Sequence, residues 1–162
     1  NVGRFVIDAY QKSQIGHLAM NLLEEEPLII ARLKAQIADT KIGSAASIVG
    51  TLDITAQCPA VFLQPGESEV VSVSQDGIAQ MEERTWLAVL VVKNIPDPAN
   101  LAATYQAAGD LLGKVVQALA GWQPSPLFRA MRYAGREQPD VQPGHVEFPI
   151  RFTVRRVFTG TG

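Results

Sequence analysis

Cysteine, histidine and long apolar runs are what this sequence has least of, and each scarcity closes a class of function. Cys58 is the one cysteine in 162 residues, so no intrachain disulfide can form and no thiol cluster can hold a metal. A reducing compartment fits such a chain. The two histidines, His17 and His145, are far apart in sequence, and neither offers a metal-ligand pair or a placed general base. The longest apolar run, Trp86 to Val92, has the length and β-branched content of a strand, far short of the about 20 residues of a membrane-crossing helix. Charge of one sign is not in excess either: 14 Lys and Arg against 16 Asp and Glu give a formal net charge of -2, which argues against generic nucleic-acid binding.

Catalytic signatures are missing in the same way. The sequence has no Gly-x-Ser-x-Gly elbow, no Gly-x-x-x-x-Gly-Lys-Ser/Thr phosphate loop and no dinucleotide fingerprint. Glu82-Glu83-Arg84 reads as a charged turn, because adjacent strand residues point to opposite faces and the two carboxylates do not converge. Glu24 to Glu26 reads as a helix entrance, where the dipole favours carboxylates without any metal. The expectation is a protein that is not an enzyme and has no cofactor or metal site.

A composition of 47% apolar and 19% charged residues is that of a globular chain, and its length suits one domain. Asn1 to His17 lacks the basic, apolar, small-residue order of a secretion signal. Met20 followed by Asn-Leu-Leu-Glu-Glu-Glu-Pro resembles a natural start, so residues 1 to 19 read as an extension or a vector-derived segment and residues 20 to 162 as the domain. Arginine is unevenly spread: Arg129, Arg132, Arg136, Arg151, Arg155 and Arg156 all fall in the last third. They form either a solvated face or a contact surface for an acidic partner or a neighbouring subunit.

Local patterns predict an α+β order. A helix is expected from about Pro27 to Ala38, with Ile30, Leu33 and Ile37 as its apolar stripe, then a loop from Gly43 to Ser47 and a weakly alternating segment from Ile48 to Thr55. Antiparallel strands follow at Ala60 to Leu63, Val70 to Val73 and Thr85 to Val92, with turns at Pro65-Gly66 and Asp76-Gly77. The run beginning at Trp86 is apolar at every position, so both its faces need cover, one from helices and the other from a further element or a second subunit. Asp97 as cap, Pro98 at the first turn and Gly121 as stop bound a long helix. Its seam of Leu101, Tyr105, Ala108, Leu112, Val115 and Leu119 faces the sheet.

Gly109 and Gly113 lie one turn apart in that helix and read as a site of tight helix-on-sheet packing rather than a dimer motif, and Trp122 reads as the apolar contact of the helix stop. Beyond Gln123-Pro124-Ser125-Pro126, Leu127 to Tyr133 is expected as a strand, Gly135 to Gly144 as a polar loop and Val146 to about Phe158 as the last strand. There Phe148, Ile150, Phe152 and Val154 face the core, while Glu147, Arg151, Thr153 and Arg155 face away. Pro149 marks an edge strand or a bulge, and Arg156, Val157 and Phe158 break the alternation.

Four passages carry a family resemblance: the helix Glu26-Pro27-Leu28-Ile29-Ile30-Ala31-Arg32-Leu33-Lys34, the strand Cys58-Pro59-Ala60-Val61-Phe62-Leu63, the strand from Trp86 to Val92, and the helix end Ala118-Leu119-Ala120-Gly121-Trp122-Gln123-Pro124. Together they resemble the tail-terminator proteins of long-tailed bacteriophages and prophages, the minor tail protein U-like group. The resemblance implies an antiparallel, or mixed, sheet of four to six strands flanked by two main helices. It also implies a ring, a hexamer, at the head-proximal end of the tail tube that ends tube polymerisation and presents a head-joining surface. The partners would be copies of the chain, the tail tube protein and head-tail connector proteins, with DNA free to pass through the ring. The location would be the virion tail, after assembly in the bacterial cytoplasm. On this reading Arg151 and Arg155, with Arg156, Arg129 and Arg132, are interface candidates, and the loop from Gly135 to Gly144 is a second. Asp97, Pro98, Gly121, Trp122 and Trp86 are structural. Another head-tail connector component, or a small-ligand-binding module with a cavity between sheet and helices, are the alternatives.

Overall fold

Strands that alternate apolar and polar residues bury one sheet face, and here that face meets two helices. In the computed structural model the described residues are 21–47, 54–94 and 98–160, without the side chains of 98–101. In chain order they form α1 (Glu25–Gln36), β1 (Lys41–Ser44), β2 (Ala60–Val73), β3 (Ala79–Lys93), α2 (Pro98–Leu119), β4 (Arg132–Arg136), β5 (Asp140–Gln142) and β6 (His145–Thr159). The sheet order is β1-β2-β3-β6-β4, with β5 also on β6. β1 runs parallel to β2 and every other pair is antiparallel. The fold is α+β with a mixed six-stranded open sheet, and no helix among the described residues is long and apolar enough to cross a membrane.

The core lies between the helices and one face of the sheet. Trp86, Ala88 and Leu90 of β3, Ile150, Phe152 and Val154 of β6, and Ala108, Val115 and Leu119 of α2 are buried together with Ile29 and Leu33 of α1. The α2 seam holds along its described length, with the half-exposed Tyr105 ring set edge-on to Phe148 at 5.7 Å. Gly121, at φ 79, ends α2 as expected. The Arg32 guanidinium donates from Nε to the Ala118 carbonyl at 3.0 Å and lies over the Trp122 ring at 5.7 Å. A cation thus meets the carbonyl end of the helix dipole, and Trp122 packs against the core. Asp97, the expected cap, lies outside the described residues, as do residues 1–20 and 48–53.

Several expectations are corrected. Ile29, not Ile30, is central to the α1 stripe: Glu25, Ile29 and Leu33, four apart, are fully buried, and the helix begins two residues early, at Glu25. Lys41–Ser44 is a strand where part of a loop was expected, since the ladder with β2 and burial of Ile42 supply what propensity does not. The Asp76-Gly77 turn is present, and the Ser74 hydroxyl and the Ile78 N–H hold the Asp76 carboxyl below the usual carboxylate range. Pro65-Gly66 is not a turn: β2 continues through it, with a register shift between Pro65 and Ser68. An added Cβ at Gly66 would stand 3.2 Å from Thr85 Cβ, so any side chain there crowds β3 and glycine suits the close approach.

β6 is not at an edge but between β3 and β4. The Pro149 carbonyl accepts from Glu137 N–H at 3.0 Å, so its nitrogen points to the same side, where pairing breaks between Arg136 and Asp140. A missing donor costs little there. The strand expected at Leu127 to Tyr133 begins only at Arg132, preceded by a single bridge from Phe128 to Arg156. Part of the expected loop from Gly135 to Gly144 is β5.

Gly109 and Gly113 do not serve close packing: both lie on the exposed side of α2, and an added Cβ meets nothing within 4 Å. Gly109→Ala and Gly113→Ala should therefore each raise stability by about 0.5–1 kcal/mol through helix propensity. The check is a higher urea midpoint at unchanged slope; a lower midpoint would reveal an unseen close approach at these positions.

Candidate functional site

The sheet face turned away from the helices carries four of the five arginines expected at an interface. Along β3 and β6 the side chains on this face are Met81, Glu83, Thr85, Leu87, Val89 and Val91, and Glu147, Pro149, Arg151, Thr153, Arg155 and Val157, set by the register that pairs Glu83 with Arg155 and Leu87 with Arg151. One end is covered within the chain, where Ala60, Phe62 and Val91 pack with Ile54, Cys58 and Val89. Elsewhere the face is only partly buried. The second cover that the apolar run of β3 calls for is thus incomplete among the described residues.

The five arginines expected at an interface divide. Arg155 pairs with Glu83 across the strands, and Arg151 with Glu137 at 2.6 Å. Arg132 lies opposite Thr153 and so on the same open face. Arg129 donates its backbone N–H to the Arg155 carbonyl at 2.8 Å. Arg129, Arg132 and Arg155, with Met81, Ala130 and Thr153, line a cavity of about 330 Å³. Arg156 is on the other side: the alternation does not break there, and the residue continues the inward row of Phe152 and Val154. It is 8% exposed, its Nη2 lies 3.0 Å from Glu24 Oε1, and its guanidinium sits over the Phe128 ring at 5.7 Å. It braces the start of α1 and lies on the helix side of the sheet, apart from the open-face arginines.

A second charged group was not foreseen. Glu25 is fully buried and receives hydrogen bonds from Arg84 Nη1 at 2.8 Å and from Trp86 Nε1 at 3.0 Å. Arg84, 4% exposed, also donates from Nε to Glu82 at 2.8 Å. Burial works against the Arg84 charge, but the hydrogen bonds and attraction of Glu82 and Glu25 outweigh it and hold the guanidinium above its ordinary value. Glu82-Glu83-Arg84 is therefore strand, not turn, and Glu25 is more than a dipole partner at a helix entrance. Spacing carries the signal: Glu25, Ile29 and Leu33 lie four apart on one helix stripe, and Arg84, Trp86, Ala88 and Leu90 share one strand face. The group ties the first turn of α1 to β3 and touches none of the open-face arginines by any described bond.

Chemically, the open face offers fixed positive charge and shallow relief, suited to non-covalent contact with acidic groups. His145 lies 3.2 Å from Glu147, with no nucleophile described beside them.

The family described as "Phage tail terminator protein" matches residues 20–161. No curated protein matches the chain. Among solved structures, a chain of "Virion of native gene transfer agent (GTA) particle" is similar over 92% of this chain and 91% of that one, at 12% identity and a TM-score of 0.44.

The buried ion pair gives a test of the structure. Glu25→Gln should destabilise by about 3 kcal/mol, because buried Arg84 keeps only Glu82 as counter-charge, whereas Glu25→Leu with Arg84→Met should cost less, its residual loss coming from the Trp86 indole N–H left without an acceptor. Urea denaturation of both variants checks this, and a single variant as stable as the double would contradict the pairing.

Proposed function

The chain belongs to the phage tail terminator protein family and is a structural protein of the virion tail; we propose that it forms a ring, six copies in all, on the head-proximal end of the tail tube. The ring stops addition of further tube subunits and presents the surface on which head-tail connector proteins dock. Its partners are its own copies, the tail tube protein and the connector, with DNA passing through the centre and recognised by no specific contact. The ring is built in the bacterial cytoplasm, and its work needs no catalysis and no cofactor.

The observation that carries this reading is the family match over residues 20–161, which spans the domain from before α1 to past β6. The open face agrees with it. A half-covered sheet face with exposed arginines has the character of a surface completed by another protein. By contrast, the cavity of about 330 Å³ lies on that face, not between sheet and helices where a ligand-binding module would hold an apolar molecule. Arg155, which lines the cavity, and Arg151 on the same face are proposed contacts to a neighbouring subunit or to the tube, as are Arg129 and Arg132.

Light scattering over a concentration series should give a mass that rises toward six chains. Tubes polymerised from the cognate tail tube protein should stay short, capped at one end, when the chain is present. Arg151→Glu with Arg155→Glu should lower the mass reached at a given concentration while leaving the melting transition in place, as expected for partly exposed ion pairs. Tubes that lengthen unchecked at every concentration of the chain would refute the terminator role.

A further inference from the structure

The two borders of the sheet carry opposite charge. β1 covers only Ala60 to Leu63 of β2, so from Gln64 to Val73 the outer edge of β2 has no strand beside it among the described residues. Glu67 and Glu69 are exposed on this edge, and Val70, Val71 and Val73 are 52%, 38% and 54% exposed. At the opposite border β4 ends the strand order, with Arg132 and Arg136 exposed and Arg129 just ahead of them.

The charges are also unbalanced within the chain. Glu69 lies directly across from Glu83, and Glu83 is already engaged by Arg155. Like charges opposite one another on neighbouring strands disfavour the sheet, so Glu69 calls for a cation from outside β2. Arg132, on the same helix-free face, has Thr153 opposite it rather than a carboxylate. It lines the cavity of about 330 Å³ together with Arg129 and Arg155. An excess of acid at one border and of base at the other, on one face, is the arrangement of two surfaces that complement each other but not themselves.

We propose that copies of this chain join border to border, with the free length of β2 in one copy lying beside β4 of the next. Glu67 and Glu69 of the first copy then face the Arg129 and Arg132 cluster of the second. Exposed strand borders are natural templates for such pairing. The contact is head-to-tail, and its repetition closes a ring when the rotation allows; the proposal deepens the ring reading above and rests on it. Pairing of β2 with a second β2 sets Glu67 and Glu69 against themselves, and pairing of β4 with β4 sets arginine against arginine. Pro65 and the two register shifts of β2 add to this selectivity, because bulges and proline obstruct strands that lack a matching partner surface.

The experiment uses two full-length variants, Glu67→Lys with Glu69→Lys, and Arg129→Glu with Arg132→Glu, whose unchanged melting transitions report intact folding. The first has two basic borders and the second two acidic ones. Light scattering at low salt should show each alone needing about tenfold more protein than the unchanged chain for half-assembly. An equimolar mixture should recover the original concentration dependence, because acidic and basic borders alternate around an even-numbered ring. Raised salt should weaken the unchanged assembly. The pairing is overturned if either variant assembles as the unchanged chain does, if the mixture fails to recover, or if the unchanged chain is monomeric at every concentration. Tube capping is scored separately: variants that assemble normally and still cap tubes sink the border contact and leave the terminator role standing, whereas unchecked tubes sink that role itself.

Discussion

The pairing of β3 with β6 decides the rest of the structure. All fifteen residues of β3 are in register with all fifteen of β6, from Ala79 opposite Thr159 to Lys93 opposite His145. Because strand side chains alternate, a slip of one residue would carry Phe152 and Val154 to the open face and Arg151 and Arg155 into the core. Burial of the apolar row against α1 and α2 therefore fixes the register, and the register in turn fixes where every charge on both faces falls. The positions of Glu83, Arg155 and Thr153 are consequences of where Trp86 and Ile150 must go.

Charge is treated differently on the two faces. Beneath the helices Arg84, Glu82 and Glu25 form a hydrogen-bonded group that includes the Trp86 indole, and Arg156 reaches Glu24. Taking such ions out of water is costly, and replacing them by apolar groups is often neutral, so their value here is geometric. They locate the first turn of α1 on the far half of the β3–β6 pair, beyond the apolar core. On the open face the pairs Arg155–Glu83 and Arg151–Glu137 are partly exposed and contribute little to stability. Those side chains remain free to exchange partners, which a buried pair cannot do.

Much of this was legible in the sequence, and the gaps have physical causes. The β6 alternation, the α2 seam and the Gly121 stop are local periodicities, and they stand where periodicity puts them. What failed depended on partners far along the chain. β1 is a strand because β2 lies beside it, and β2 passes through Pro65-Gly66 because β3 continues alongside. Pro149 spoke for an edge, yet the interruption between β4 and β5 accommodates it inside the sheet. Arg156 looked like a break in pattern because arginine is rarely placed inward, and only Glu24, far away in chain order, explains it.

The proposed assembly asks for few reactive groups, because the two faces divide the tasks of folding and contact. A catalytic site concentrates its information in a handful of atoms held close together. An assembly surface spreads it over area, charge sign and edge geometry, which need no rare residue types. Glutamate on one border, arginine on the other and a rigid two-strand axis between them are ordinary residues given meaning by register. Since the register is held by the buried face, substitutions on the open face leave the fold standing, whereas substitutions beneath the helices endanger it.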